Sequence, residues 1–183
     1  SGLGIPMGVM GAGTADLDND GFLDLYFGTG DPQLSRLEPN HLFRNNGNGT
    51  FTDWTGHVNF ARPGNKGHGV TFVDIDNDGD LDVYAQLGGH YQGDHARNAF
   101  YRNLQGNRNR WLEVELTGTK SNRYAVGARL TAKVGTWTLV REVKGSEGFG
   151  ATAPYRQHFG LAQHEKVDSL EIRWPSGAIT RRE

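Results

Sequence analysis

The feature that most constrains the fold of this chain is an internal repeat with a period of 58 residues. An ungapped shift of 58 residues superimposes DLDNDGFLDLY at 16–26 on DIDNDGDLDVY at 74–84. The same shift superimposes NHLFRN at 40–45 on NAFYRN at 98–103. Because two chemically unrelated segments keep one register, the repeat is structural, and its period is typical of solenoid or propeller units.

Within one period the sequence predicts four short antiparallel strands. Residues 70–73 lead into the second Asp-rich segment and residues 81–84 leave it, which indicates a hairpin. Residues 40–44 are predicted as a third strand and residues 50–54 as a fourth, with an Asn-Gly turn between them. Four antiparallel strands are the content of a β-propeller blade. The second copy breaks off after residue 103, so the chain supplies not quite two blades.

The segment 107–183, called the tail below, predicts a further β unit. Its apolar and polar residues alternate with a period of two, as in strands with one buried face. The predicted strands are 111–116, 129–134, 136–143 and 170–174. We therefore expect an all-β chain. Partial β-propeller-type repeats with about two blades occupy residues 1–106, and a small β-sandwich of about five to seven strands occupies residues 107–183.

Composition excludes several functional classes. The 183 residues include no Cys, which excludes disulfides, zinc–thiolate sites and a cysteine nucleophile. No apolar run approaches the roughly 18 residues of a membrane span. The formal net charge of −2 argues against a nucleic-acid binder. That total conceals −7 in residues 1–104 and +5 in residues 105–183, and most of the acid in the first half lies in the two Asp-rich segments.

The Asp-rich segments, called loop 1 (16–24) and loop 2 (74–82), have the spacing of a metal site. Acids stand at positions 1, 3, 5 and 9, and Gly at position 6 permits a sharp reversal. Alternate carboxylates can then converge, and the carbonyl at position 7 supplies another oxygen. Six to eight oxygen ligands suit Ca²⁺, whereas Mg²⁺ prefers fewer protein ligands and ranks second. The sequence therefore predicts two Ca²⁺ sites, formed by Asp16, Asp18, Asp20, Phe22 and Asp24, and by Asp74, Asp76, Asp78, Asp80 and Asp82.

Two other interpretations of the loops are weaker. An EF-hand needs Glu at position 12, where this chain has Phe27 and Ala85, and its flanks are helical rather than strand-like. A solvated turn is the simple alternative for one such segment. The full spacing occurs twice in register, however, and like charges this close repel by several kcal/mol at an effective dielectric of about 20. Such a loop needs a cation at neutral pH.

These loops and parts of the tail resemble known families. Loop 1 and the segment NHLFRNNGNGTFTD at 40–53 are similar to the FG-GAP/VCBS family, the calcium-loop blades of integrin-α-type propellers. The tail resembles the ASPIC/UnbV family in NRWLEVELTG at 109–118, SNRYAVGAR at 121–129, HFGL at 158–161 and WPSG at 174–177. Propellers of the first family have about seven blades. The resemblance therefore implies further repeats upstream, which agrees with a chain that begins with Ser.

Histidines outside the loops indicate a function less clearly than the Asp-rich loops do. His90, Asp94 and His95 lie close together and could bind a transition metal or act as acid and base, although the polarity of a surface loop explains them equally well. We expect His68 and His158 to be structural hydrogen-bonding residues.

Tryptophans and arginines add two further expectations. Trp111 and Trp174 fall in predicted strands and are expected in the core, whereas any exposed Trp could stack on sugars. The arginines of the tail could face an anionic partner or the acidic half of the chain itself, although such a spread-out charge is more often a solvated face. They are Arg108, Arg110, Arg123, Arg129, Arg141 and Arg156.

Together these patterns predict an extracellular or cell-envelope interaction or adhesion module, with structural Ca²⁺ and a protein or carbohydrate partner. Two alternatives remain open. The resemblance to UnbV proteins implies an enzyme or biosynthetic accessory, although no G-x-S-x-G elbow, Walker loop or HExxH motif is present. The open strand edges of an incomplete propeller would permit self-association as a structural or filament subunit.

Overall fold

The computed structural model describes residues 2–4, 6–30, 38–57, 66–88 and 96–183. These residues form thirteen β-strands and two 3₁₀ helices of three residues each, with no α-helix in the described ranges. The expectation of an all-β chain is confirmed. Neither short helix in this part of the chain is long and apolar enough to cross a membrane.

The first blade is a four-stranded antiparallel sheet in the order β1-β2-β3-β4. Its strands are β1 (Gly11–Ala15), β2 (Asp24–Gly28), β3 (His41–Asn45) and β4 (Phe51–Asp53). Loop 1 joins β1 to β2, and the strand pairing ends at Ala15 and Asp24, directly at the base of the loop. The predicted hairpin around the Asp-rich segment is therefore present.

The second blade has the same hairpin and, among the described residues, one strand fewer. Its strands are β5 (Gly67–Val73), β6 (Asp82–Leu87) and β7 (Ala99–Tyr101), in that order. Val73 pairs with Asp82 at the base of loop 2. After β7 the chain leaves through the 3₁₀ helix Gly106–Arg108, so the described part of this sheet has three strands. This agrees with a repeat pattern that breaks off after residue 103.

The tail forms six strands in two sheets. They are β8 (Arg110–Val114), β9 (Arg129–Val134), β10 (Trp137–Glu142), β11 (Gln157–Ala162), β12 (Ser169–Arg173) and β13 (Ile179–Arg182). One sheet has the order β10-β9-β12-β13 and the other pairs β11 with β8. Leu130 and Val134 of β9 and Phe159 of β11 are buried in one core between the sheets. The small sandwich predicted from the alternating pattern is therefore present.

The two blades share one core, and the tail has another. Tyr26 and Leu42 of the first blade pack with Val70 and Phe72 of the second. The buried residues of the tail core all follow residue 124, and Leu112 and Val114 of β8 pack against them. Separate cores agree with a boundary between residues 106 and 107, but they do not locate it, and that boundary stays a prediction.

The packing of the blades yields a prediction about Gly11. A Cβ at Gly11 would overlap the carbonyl oxygen of His68 in β5, whereas a Cβ at Gly4 would meet nothing within 4 Å. We expect Gly11→Ala to lower the free energy of unfolding by about 1–3 kcal/mol, because the sheets must separate. Gly4→Ala is the matched control and should change it by less than about 0.5 kcal/mol. Urea unfolding followed by circular dichroism measures both, and equal midpoints would contradict the close contact of β1 with β5.

Candidate metal centres

Loop 1 is curled so that its alternate carboxylates meet. Asn19 and Gly21 have φ values of 56° and 95°, a left-handed conformation that Asn and Gly adopt more readily than other residues. One oxygen atom from each of Asp16, Asp18 and Asp20 lies within 4.8 Å of the others. The structure therefore brings together the acids at positions 1, 3 and 5.

The carboxylate oxygens of loop 1 fall into two sets. The N–H of Gly21 donates to Oδ2 of Asp16 at 2.9 Å, and the N–H of Phe22 donates to Oδ1 of Asp20 at 3.0 Å. Oδ1 of Asp16 and Oδ1 of Asp18 are buried without a hydrogen-bond partner among the residues that the structure describes. Burying an acceptor without a donor is costly. A cation would satisfy both atoms, and an all-oxygen donor set fits Ca²⁺.

Loop 2 repeats this geometry with greater exposure. Its residues at positions 4 and 6 have φ values of 57° and 93°. Asp74, Asp76 and Asp78 also offer oxygen atoms within 4.8 Å of one another, and the N–H of Gly79 donates to Oδ2 of Asp74 at 2.9 Å. Asp76 is exposed, whereas Asp16 in loop 1 is only 1% exposed.

The acid at position 9 has a different set of partners. Both oxygens of Asp24 accept backbone N–H groups, from Leu17 at 3.1 Å and from Asn45 at 2.8 Å. Asp82 accepts from the equivalent residues of the second repeat at 3.3 and 2.8 Å. These carboxylates therefore tie the start of each loop to the end of the third strand. Their role as metal ligands stays a prediction.

The predicted carbonyl ligands at position 7 also stay predictions, but their side chains have clear contacts. The ring of Phe22 lies 5.3 Å from that of Trp137 in the tail. The carboxylate of Asp80 is buried. Its Oδ2 accepts the N–H of Asn107 at 3.3 Å, and its Oδ1 has no partner in the described part of the chain. The sequence pattern predicts only a carbonyl ligand from Asp80 and carries no signal for this buried carboxylate.

Each loop is paired with an arginine from the end of its own blade. The guanidinium of Arg44 lies 2.5 Å from Oδ2 of Asp18 and 2.7 Å from Oδ2 of Asp20. Arg102, which is 58 residues later, forms the equivalent ion pairs with loop 2. The repeat register aligns these two arginines, and that register is the signal that could have revealed them.

Burial opposes ionisation of several loop carboxylates. It raises the pKa of Asp16 to about 7, although the Arg141 guanidinium acts in the opposite direction. It also raises the pKa of Asp24 to about 8 and that of Asp80 to about 6. Neighbouring aspartates add to the shift in every case. A bound cation would favour the ionised forms.

Asn19 connects both loops with the tail. Its side chain is fully buried, and its Nδ2 donates to the carbonyl oxygens of Gly79 and Gly106 at 2.8 and 3.0 Å. Its Oδ1 lies 2.6 Å from Nε2 of His158. This role has no signal in the sequence, because an Asn at position 4 indicates only a left-handed turn.

His158 is confirmed as a structural hydrogen-bonding residue. Burial and the nearby Arg141 guanidinium together lower its pKa to about 4, so the ring is neutral at physiological pH. Since Nδ2 of Asn19 already donates twice, its Oδ1 is the acceptor and Nε2 of His158 carries the proton. His68 is also buried, with its ring 5.7 Å from that of Phe149.

One arginine of the tail faces the acidic half of the chain. Nη2 of the largely buried Arg141 lies 3.5 Å from Oδ2 of Asp16. Arg156 instead pairs with Glu113 inside the tail. The described contacts thus favour the second expectation for Arg141, that it compensates acid within the chain.

Trp111 differs from expectation, and the predicted His cluster is outside the described residues. Trp111 is 39% exposed, so its placement in the core is wrong. Its ring lies over Gly79 of loop 2, where a Cβ would overlap the indole, and it stacks on His158 at 5.9 Å. Trp174 is partly buried against the tail core. His90, Asp94 and His95 lie in a segment that the structure does not describe.

A cleft of about 600 Å³ lies between the blades and the tail. Asp16, Asp74, Glu113, Arg141 and His158 are among the residues that line it. Among these residues, Asp16 and His158 have the strongly shifted pKa values. The first belongs to loop 1 and the second hydrogen-bonds it, so the chemistry of the cleft is largely that of loop 1.

Comparison with protein families agrees with this architecture. Residues 16–85 match a family model described as FG-GAP-like repeat, and residues 118–183 match one described as ASPIC and UnbV. The two matches lie in different segments of the chain, and the resemblance seen in the sequence to both families is confirmed.

Three curated relatives share the name cartilage acidic protein 1. The protein of Xenopus tropicalis is 29% identical over 174 residues, which cover 92% of this chain and 26% of that protein. The Homo sapiens protein is 27% identical over 191 residues, covering 92% and 25%. The Mus musculus protein is 27% identical over 190 residues, covering 92% and 26%. The chain thus spans about a quarter of the length of these relatives.

The buried carboxylates predict how the metal-free protein responds to pH. Asp16 and Asp24 have folded pKa values of about 7 and about 8 against an ordinary 3.8. The stability linked to their protonation is present at low pH and lost as the pH rises through those values. His158 acts oppositely, but only as the pH falls from 6.5 towards 4. Melting temperature in excess chelator should therefore fall from about pH 6.5 to about pH 8, where both carboxyl groups become ionised in the folded state as well, as thermal unfolding at several pH values would measure.

Asp24→Asn is the matched variant for this effect. The amide does not titrate, so the pH slope should become shallower, even though the amide accepts fewer backbone N–H groups and lowers stability at every pH. A melting temperature that rises across this pH range in chelator would contradict the burial of these carboxyl groups.

Proposed function

We propose that this chain is a calcium-loaded extracellular interaction module, in which one Ca²⁺ in each loop holds the loop rigid and the surrounding surface binds a protein or carbohydrate. The observation that carries this proposal is the convergence of three carboxylates within 4.8 Å in both loops. Buried carboxylate oxygens also lack a donor among the described residues, on Asp16 and Asp18 in loop 1 and on Asp80 in loop 2.

In loop 1 two carboxylate oxygens are best available to the metal. Oδ2 of Asp16 already accepts a backbone N–H, and Oδ2 of Asp18 pairs with Arg44. Their Oδ1 atoms remain for a cation. The other proposed ligands are Asp20, the carbonyl of Phe22, and Asp24, with the equivalent set in loop 2. Two bound Ca²⁺ would add four charges to the formal net charge of −2 and bring it to +2.

The proposed role of Ca²⁺ is structural. Each loop joins two paired strands of a blade, and Asn19 links loop 1 to loop 2 and to the tail. In the described part of the chain, groups of three or more acidic or His side chains that could hold a metal occur only in the loops. The enzyme alternative therefore has no separate cluster of this kind to support it.

Exposed aromatic pairs support a binding surface. Tyr124 and Tyr155 are exposed and stack with their ring centroids 5.0 Å apart beside the cleft. Tyr84 and Phe100 are exposed and lie opposite each other on β6 and β7. Aromatic side chains are enriched at interfaces because they offer large contact areas. The names of the curated relatives support an extracellular location, where Ca²⁺ is abundant enough to fill weak sites.

Calcium titration tests the proposal. Adding Ca²⁺ to chelated protein should raise the melting temperature, because a ligand that binds only the folded state stabilises it by about 2.7 kcal/mol per site at 100 times its Kd. Isothermal titration calorimetry should resolve two sites. Mg²⁺ at the same concentration should give a smaller shift, because it prefers octahedral geometry with fewer protein ligands.

Single-charge variants assign the two sites. Asp18→Asn should remove the loop 1 site and Asp76→Asn the loop 2 site, because each loses one carboxylate without changing shape. The double variant should melt at the same temperature in Ca²⁺ and in chelator. Asp168→Asn, which changes a tail carboxylate outside both loops, is the control and should keep both sites. If the wild-type protein melts identically in Ca²⁺ and chelator, the proposal is wrong.

A further inference from the structure

The tail supplies part of the loop 1 site. The N–H of Gly160 in β11 donates to Oδ2 of Asp16 at 3.0 Å, and Nη2 of Arg141 in β10 lies 3.5 Å from the same oxygen. With the Gly21 N–H, these contacts occupy Oδ2 and leave Oδ1 as the buried oxygen without a donor in the described ranges. The tail therefore determines which oxygen of Asp16 is available to a cation.

Further residues of the tail hydrogen-bond to the backbone of loop 1 or pack on it. The N–H of Ala162 donates to the carbonyl oxygen of Asn19 at 2.8 Å. The side-chain amide of Asn109 donates to the carbonyl oxygen of Asp18 at 2.8 Å. The ring of Trp137 packs on the glycine at position 6, where a Cβ would lie 3.2 Å from the indole. Positions 1, 3, 4 and 6 of loop 1 thus all contact the tail.

Loop 2 is held differently. Asn107, at the start of the tail, donates to carboxylates of Asp78 and Asp80 at 3.2 and 3.3 Å, and Trp111 covers Gly79. Between described residues, no hydrogen bond joins β10 or β11 to a loop 2 carboxylate. The two loops have nearly the same sequence, but among the described contacts only loop 1 is hydrogen-bonded or ion-paired to β10 and β11.

We propose that the loop 1 metal site is a composite site, in which Gly160 and Arg141 are positioning residues and Ca²⁺ binding is coupled to docking of the tail on the blades. This inference rests on the proposed Ca²⁺ function and deepens it. Docking and metal binding must strengthen each other by the same factor, because coupling between two equilibria is reciprocal.

Two physical effects give the coupling its positive sign. Docking removes the loop 1 carboxylates from water, which is costly for unpaired charges and less so when a divalent cation is present. Docking also orients the Asp16 side chain before the metal binds, so less side-chain conformational entropy is lost when Ca²⁺ binds. Arg141 compensates part of the charge without metal, so the tail still docks in chelator, but less tightly.

Amide hydrogen exchange on the full chain tests the coupling. The N–H groups of Gly160 and Ala162 donate across the interface to loop 1, so their protection reports docking directly. In wild-type protein both amides should exchange about 5–150-fold faster in chelator than in Ca²⁺. Asp18→Asn should show the fast exchange even in Ca²⁺, whereas Asp76→Asn should behave like wild type.

A substitution that disturbs docking sterically tests the same coupling through its effect on Ca²⁺ affinity. A Cβ at Gly160 would overlap Oδ2 of Asp16 and lie 2.5 Å from Cα of Asn19. In the Asp76→Asn background, where loop 1 is the remaining site, Gly160→Ala should weaken Ca²⁺ binding about 5–150-fold by calorimetry. Gly56→Ala is the matched control, since a Cβ there meets nothing within 4 Å, and should leave the affinity unchanged. Should Gly160→Ala fail to fold, the exchange experiment decides alone.

The outcomes separate this inference from the proposed function. If wild-type protein binds two Ca²⁺ but the two amides are equally protected in Ca²⁺ and chelator, the coupling is overturned and the calcium function stands. Unchanged loop 1 affinity in a folded Gly160→Ala variant would also overturn the coupling. If wild-type protein binds no Ca²⁺ at all, both proposals fail together.

Discussion

The structure around both loops depends on one electrostatic constraint, the gathering of like charges where water is scarce. Three carboxylates meet within 4.8 Å in each loop, and in loop 1 Asp16 and Asp24 are almost fully buried. Coulomb repulsion and lost hydration both oppose this arrangement. The chain compensates with inward-pointing backbone N–H groups, with Arg44 across the outer carboxylates, and with Arg141 from the tail. A metal ion would complete the same compensation.

The two loops show how one local sequence serves two tertiary settings. Both use a left-handed residue at positions 4 and 6, and both tie the acid at position 9 to the third strand. Among the described contacts, only loop 1 is hydrogen-bonded or ion-paired to β10 and β11, and only its position-4 residue, Asn19, is hydrogen-bonded to the other loop and to the tail at once. The repeat is therefore symmetric in backbone and asymmetric in burial, so the two sites are not equivalent.

The predictable parts of the structure are those that are specified locally. Strand spacing, turn chemistry and the convergence of alternate carboxylates act over a few residues, and the 58-residue register places them correctly. The contact of Asn19 with His158 spans 139 residues and has no local signal. Trp111 shows the same limit. The alternation of apolar and polar residues suggests a buried face, but it does not reveal that β8 pairs with β11 in a two-stranded sheet. Nor does it reveal that the Trp111 indole lies against Gly79 of loop 2. The ligand roles at positions 7 and 9 follow from the sequence pattern alone and stay predictions.

The contact between Gly160 and Asp16 spans 144 residues, and this separation affects the order in which parts of the chain fold. Contacts between distant parts of a chain form late, because closing a long segment costs entropy before any contact repays it. During synthesis, loop 1 leaves the ribosome well before β11 exists. The nascent chain therefore carries an acidic, uncovered loop until β11 has been made. The segment that is made early is among the last to reach its final environment.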